Sequence, residues 1–252
     1  MVCLFAACRA APQQNEAKPA KPEAVPARAE VPVAGEAVEL KPGAIRGSVR
    51  FQGRAPVMPP IDFSSNPQCE RAHPKVVRAE TVVVNPNRTL RDTFVWIKSG
   101  LRQTRWTPPA AAAELDQTGC QYRPHVLGLM VNQDLEIRNS DPVNHDVHVE
   151  AVRNASSNEA EPPRAESLHK RYPAEEVWFP VSCSVHPWMR SYLAVVSHPF
   201  FAVTGTDGSL SLNSVPPGDY VIEAIQEKFG KREQRVTVAP GQTVAIDFVY
   251  TP

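Results

Sequence analysis

The chain has 252 residues, 42% of them hydrophobic and 21% charged, and its 27 basic residues balance its 27 acidic ones. This composition excludes wholesale disorder, and the zero formal charge sets nucleic acid aside as a main partner. Pro, at 26, outnumbers Gly, at 12, which favours short strands, turns and linkers over long helices. No apolar run approaches the eighteen residues that a membrane-spanning helix needs.

The N-terminal Leu4-Phe5-Ala6-Ala7-Cys8 resembles a bacterial lipobox, in which small residues precede a Cys that becomes lipidated. The resemblance implies lipidation at Cys8, a start lying inside a longer signal peptide, and residence in the periplasm or at the cell surface of a bacterium. Residues 9–41 alternate Ala, Pro, Lys and Glu, with no aromatic residue between Phe5 and Phe51. Such a segment cannot bury enough surface to offset its chain entropy, and it reads as a semi-extended linker.

From Ala44 onward the dominant signal is alternation. Ile45, Gly47, Val49 and Phe51 share one face of a strand. Short β-branched or aromatic runs follow at 81–84, 94–97 and 126–131. Leu135 and Ile137 alternate with Glu136 and Arg138. One helical turn is expected at 109–115 from its Ala run. Residues 153–176, polar and Pro-containing, read as a solvated loop. Val177, Phe179, Val181 and Cys183 form another face, and Tyr192 to Val196 follows. Short strands punctuated by Pro, Asn, Asp and Gly argue an all-β sandwich.

The last fifty residues carry a hairpin signal at Thr206-Asp207-Gly208, a turn at Pro216-Pro217-Gly218-Asp219 and three further alternating runs. This series resembles the carboxypeptidase-regulatory-like (transthyretin-like) β domain. It is short for such a sandwich, and Ile45 to Pro56 is the expected source of the missing strands.

The chemistry concentrates in Cys183-Ser-Val-His186-Pro-Trp-Met189 and in His145-Asp-Val-His148 upstream. Thiolate and thioether are soft donors that select copper over calcium, magnesium or manganese. Two His and a Cys in a trigonal plane with a weak axial Met form the blue-copper arrangement. Strand alternation chooses the second His. His145 shares its face with Val147 and Val149, whereas His148 shares its face with Asp146 and Glu150 and should point to solvent. Zinc would accept the Cys and His donors but gain little from Met.

These motifs resemble those of the cupredoxins, with amicyanin-like and plastocyanin-like spacing, over residues 80–197. The resemblance implies a Greek-key β-sandwich, one mononuclear type 1 copper held by His145, Cys183, His186 and Met189, and one-electron transfer rather than catalysis. It also implies supporting positions at Asp146, Pro187 and Trp188. Asp146 stands where the family usually has Asn, and a carboxylate there would weaken the clamp between ligand loops or lower the potential. Trp188 either packs over the ligand loop or helps form an apolar docking patch. Electrons would leave through the edge of His186 on an exposed loop. The phrase Leu115-Asp-Gln-Thr-Gly-Cys-Gln-Tyr-Arg-Pro-His-Val126 is similar to a bacterial family that joins a cupredoxin to a regulatory-like domain.

The five Cys stand at 3, 8, 69, 120 and 183 with no Cys-x-x-Cys, against a zinc ribbon or thioredoxin-like site. With Cys3 removed, Cys8 lipidated and Cys183 on the metal, Cys69 and Cys120 remain for a disulfide; the other reading is two unrelated buried thiols. His125 reads as structural. No hydrolase or phosphate-binding motif occurs.

The expected organisation is a signal at 1–8, a linker at 9–41, a cupredoxin-like domain at 42–199 and a regulatory-like β domain at 200–252. The expected whole is an all-β, monomeric electron carrier that meets a redox partner protein and touches the membrane only through its lipid. A copper-delivery protein or a metal-free surface binding module are the alternatives.

Overall fold

The computed structural model describes residues 41–252. The lipobox-like start with Cys3 and Cys8, and the linker as far as residue 40, lie outside the described residues. In chain order the elements are β1 Gly43–Phe51, α1 Pro67–Ala72, β2 Phe94–Ser99, β3 Ala113–Gln117, β4 Tyr122–Arg123, β5 Val126–Met130, β6 Leu135–Asn139, β7 His145–Val149, β8 Ser157–Glu161, β9 Leu168–Lys170, β10 Glu176–Ser182, β11 Arg190–Val196, β12 Phe201–Val203, β13 Ser209–Val215, β14 Gly218–Gln226, β15 Gly230–Val238 and β16 Thr243–Tyr250. The described residues are thus almost wholly β, arranged as a cupredoxin-like β-sandwich and a second sandwich.

Four sheets make these two sandwiches. Sheets β5-β11-β10-β7-β8 and β4-β3-β6-β9 face each other. Between them lie Leu115, Leu129, Leu135, Ile137, Val147, Val181 and Leu193, each fully buried. Sheets β13-β1-β16 and β12-β2-β14-β15 enclose a separate core of Ile45, Val49, Ile97, Leu212, Ile222 and Phe248. A third cluster joins the two: Phe94 and Trp96 from β2, Val126 from β5, Ala194 and Val196 from β11, and Ile225 from β14. Gly128 permits this junction, because a Cβ there would stand 2.6 Å from the Phe201 ring and 2.8 Å from the Phe94 ring.

The division at 199/200 does not follow the sheets. β1 runs parallel to β16 from Ala44↔Thr243 to Phe51↔Tyr250, and β2 lies between β12 and β14. The C-terminal strands cannot close a sandwich by themselves, so β1 and β2 supply the strands they lack. The second sheet pair is therefore built from both ends of the folded chain, and β3 to β11 form the sandwich between them.

Two local expectations are corrected. The Ala run at 109–115 forms no helical turn. Ala113–Gln117 is β3, held by parallel pairing to β6 and antiparallel pairing to β4, with Leu115 fully buried. Tertiary pairing overrides the helix propensity of Ala here. Residues 153–176 are not a bare loop either. They contain β8, which pairs with β7, and β9, which pairs with β6, so this stretch closes the edges of both sheets.

Candidate metal centre

The centre sits where three strands end. His145 is the first residue of β7, Cys183 follows the last residue of β10, and Met189 precedes β11. The intervening loop closes on itself: the Met189 N–H donates to the His186 carbonyl at 2.9 Å, and the Cys183 N–H donates to the Met189 carbonyl at 3.4 Å. A bulge at Trp178 shifts the register between β10 and β11, and beyond it Phe179, Val181 and Cys183 all face the core.

One ligand atom each from His145, Cys183 and His186 lies within 4.8 Å of the others. The two imidazoles face each other with Nδ1 atoms 2.9 Å apart, and Cys183 Sγ lies 3.8 Å from His186 Nδ1. All three are buried, with exposures of 1%, 3% and 1%, and Met189 is fully buried in the same core cluster as Cys183. The imidazole atoms turned away from the centre have partners. His145 Nε2 meets Asp141 Oδ2 at 3.0 Å, and His186 Nε2 meets Asn66 Nδ2 at 2.9 Å. A buried thiol and two imidazoles, one of them with a carboxylate on its outer nitrogen, fit a soft or borderline metal ion.

Electrostatics agree with that fit. Burial pushes the Cys183 thiol up, so it is a thiol until a metal displaces the proton. Burial, with His145 beside it, pulls His186 down, which keeps the ring neutral. Burial works to raise Asp141, but hydrogen bonds from His145 and from the Cys120 and Gly119 N–H groups outweigh it and hold the carboxyl below its ordinary range.

A second cluster, Cys120, Asp141 and His145, also lies within 4.8 Å. Its sulfur is committed, since Cys69 and Cys120 form a disulfide. Cys183 is the free cysteine among the described residues.

The structure corrects two expectations at the centre. Asp146, expected to weaken the clamp between ligand loops, is buried, with 8% exposure, and its Oδ1 accepts the Ser184 N–H at 2.6 Å. β7 is flanked by β8 on one side and β10 on the other, and the ligand loop folds over the carboxylate. The clamp between loops is therefore formed by Asp146. Its neighbour His148 is half-buried. Nor is His186 on an exposed edge. Asn66 and Cys69 of the α1 segment close over it, with Cys69 Sγ 3.7 Å from Nε2.

The remaining expected residues fall into place around this cover. Pro187 is exposed beside the centre. Trp188 is half-buried: its Nε1 donates to the Cys120 carbonyl at 3.0 Å, and its ring lies 5.0 Å from His186 and edge-on to Phe63. His125 is buried, with its Nε2 2.7 Å from a Glu227 carboxylate oxygen, and both residues line a polar cleft of about 330 Å³ that borders the ligand loop. Sequence reasoning missed Asp141 and Asn66. The signal for Asn66 was present: Asn followed by Pro is a helix-start pattern, and Asn66 caps α1 with Pro67 in its first turn.

No family model matches the chain, and no curated protein matches it. Solved structures do match. A copper-containing nitrite reductase from Thermus scotoductus SA-01 is 18% identical with a TM-score of 0.33, over 40% of this chain and 26% of that one. A purple cupredoxin from Nitrosopumilus maritimus is 19% identical with a TM-score of 0.28, over 33% of this chain and 98% of that one. A mutant amicyanin in its Cu(I) form is 19% identical with a TM-score of 0.30, over 40% and 97%. The chain is distantly similar in structure to cupredoxin-fold proteins. It spans about a quarter of the nitrite reductase, and the chemistry of the centre rests on its own residues.

Proposed function

We propose that the protein is a type 1 copper protein that carries single electrons outside the cytoplasm. The observation that carries this reading is the convergence of three buried soft or borderline donors, His145 Nδ1, His186 Nδ1 and Cys183 Sγ, at the ends of paired strands. In this reading those three atoms would hold the metal, with the Met189 thioether as a weak fourth donor from the closing turn of the same loop. When bound, copper would supply a one-electron couple, tuned by the thiolate and by the thioether.

The chain's own residues would keep that couple rigid. Asp141 orients His145, Asp146 pins the ligand loop through Ser184, and Tyr122 ties the two strands together. The Tyr122 hydroxyl donates to the Asp146 carbonyl and lies 3.0 Å from the Ser182 carbonyl. With four protein donors no position is left for a substrate, so the reading is of a carrier and not an enzyme. Burial of all four side chains favours a resident ion over the alternative of copper delivery, which needs ready exchange. We further propose lipid attachment at Cys8, a monomeric state and a redox protein as partner.

The test is a Cu(II) titration of the fragment beginning near Lys41, followed by visible absorption and EPR. The reading expects an intense thiolate-to-copper band saturating at one equivalent, with narrow copper hyperfine splitting, and no band in Cys183→Ser. Absence of the band, or colour retained in the variant, overturns it. Reversible voltammetry with slow loss of copper to a chelator separates the carrier from a delivery protein.

A further inference from the structure

The cover over His186 is connected to the helix that carries it in a way that fixes a proton. Asn66 is the N-cap of α1, and its Oδ1 accepts the N–H groups of Gln68 at 3.0 Å and Cys69 at 3.3 Å. The amide is thereby oriented, because turning it would set Nδ2 against two backbone donors. What faces His186 Nε2 at 2.9 Å is thus an NH2 group, which can only donate. His186 Nε2 must present a lone pair, and the ring proton sits on Nδ1.

The other imidazole agrees. Asp141 accepts the N–H groups of Gly119 and Cys120, both at 2.7 Å, and faces His145 Nε2 at 3.0 Å. His145 therefore carries its proton on Nε2, and its Nδ1 lone pair receives the His186 Nδ1–H across 2.9 Å. Each of the four ring nitrogens has one role, and the roles interlock. His145 is already in the form that ligates through Nδ1. His186 is not, since its proton occupies the atom that would bind the metal.

We infer that Asn66 is a positioning residue that holds His186 in its non-ligating tautomer, and that metal entry at Nδ1 hands Nε2 from Asn66 to Cys69 Sγ. This inference rests on the copper reading. The number of protons on the ring does not change; the proton moves from Nδ1 to Nε2. There it opposes the Asn66 amide donor, and the acceptor within reach is the disulfide sulfur of Cys69 at 3.7 Å, a weak one. The Asn66 contact that stabilises the metal-free centre is therefore lost on loading, and it lowers the affinity for the ion.

Two variants keep the helix cap and remove the donor that faces Nε2; Asn66→Asp also adds a charge, which Asn66→Ser does not. Asn66→Asp presents an acceptor to Nε2–H, and Asn66→Ser is too short to reach the ring. Imidazole nitrogen NMR of the metal-free protein should find the His186 proton on Nδ1 in wild type and on Nε2 in Asn66→Asp. Competition for Cu(I) against bicinchoninate should show both variants binding at least tenfold tighter than wild type, with thermal unfolding confirming that each folds. A proton on Nε2 in the metal-free wild type, or unchanged or weaker Cu(I) binding in Asn66→Ser, overturns the inference. Failure of the wild type to bind copper at all overturns the functional reading instead, and the metal-free NMR result tells the two failures apart.

Discussion

Replacing both Cys69 and Cys120 by Ala should cost the metal-free protein about 4 kcal/mol. The disulfide joins residues 51 apart in sequence, and the chain-entropy expression for a loop of that size gives about 14 cal/mol/K, or about 4 kcal/mol at 25 °C. Both residues are buried, at 0% and 2% exposure, so loss of their packing adds to the entropic cost. For a folded region of this size the corresponding fall in Tm is roughly 10 °C. The loss is also local. The bridge ties α1 to the segment before β4, and Cys69 Sγ stands 3.7 Å from His186. Urea unfolding gives the global term, and amide exchange across 66–73 gives the local one. A loss below about 1 kcal/mol, or α1 amides as protected as in wild type, would refute the reasoning that the bridge holds this cover in place.

Glu161 sits in β8 with 1% exposure and no partner for either carboxylate oxygen. Burial, with Glu159 nearby, pushes it up from 4.5 to about 6. Between those values the folded protein keeps a proton that the unfolded chain has lost, so stability falls as pH rises through that window, by about 2 kcal/mol. Glu161→Gln should be more stable than wild type by that amount at pH 8 and show no gain at pH 4; a gain independent of pH contradicts the assignment. A Cβ at Gly47 would stand 1.6 Å from the Ile246 carbonyl oxygen, whereas one at Gly205 meets nothing within 4 Å. Gly47→Ala should therefore cost at least about 4 kcal/mol in chemical unfolding, and Gly205→Ala no more than about 0.5 kcal/mol. Similar values for the two would refute the close approach of β1 to β16.

The strands that carry the centre were legible because alternation reports which face is buried. Val147 and Val149 placed His145 inward, and Phe179 and Val181 did the same for Cys183. Alternation failed at Asp146, where a charged side chain is taken inward by one backbone N–H from a loop 38 residues away. It also could not see the cover on His186, because Asn66 lies 120 residues before that ring. Local pattern holds no information about which distant segment closes a site. The share of β1 in the C-terminal unit was legible, since Ile45 to Pro56 was the expected source of its missing strands; the share of β2 was not, because nothing within its six residues says that its partners are β12 and β14. Residues 157–161 went unread as a strand because Ser-Asn-Glu-Ala-Glu has no apolar alternation; pairing with β7 alone makes it one.

The most direct test of the metal centre is anomalous diffraction at the copper edge from crystals loaded with one equivalent. The account predicts a single peak bounded by His145 Nδ1, His186 Nδ1 and Cys183 Sγ, with the Met189 sulfur beside it. A peak at any other side chains, or none at these, would contradict it.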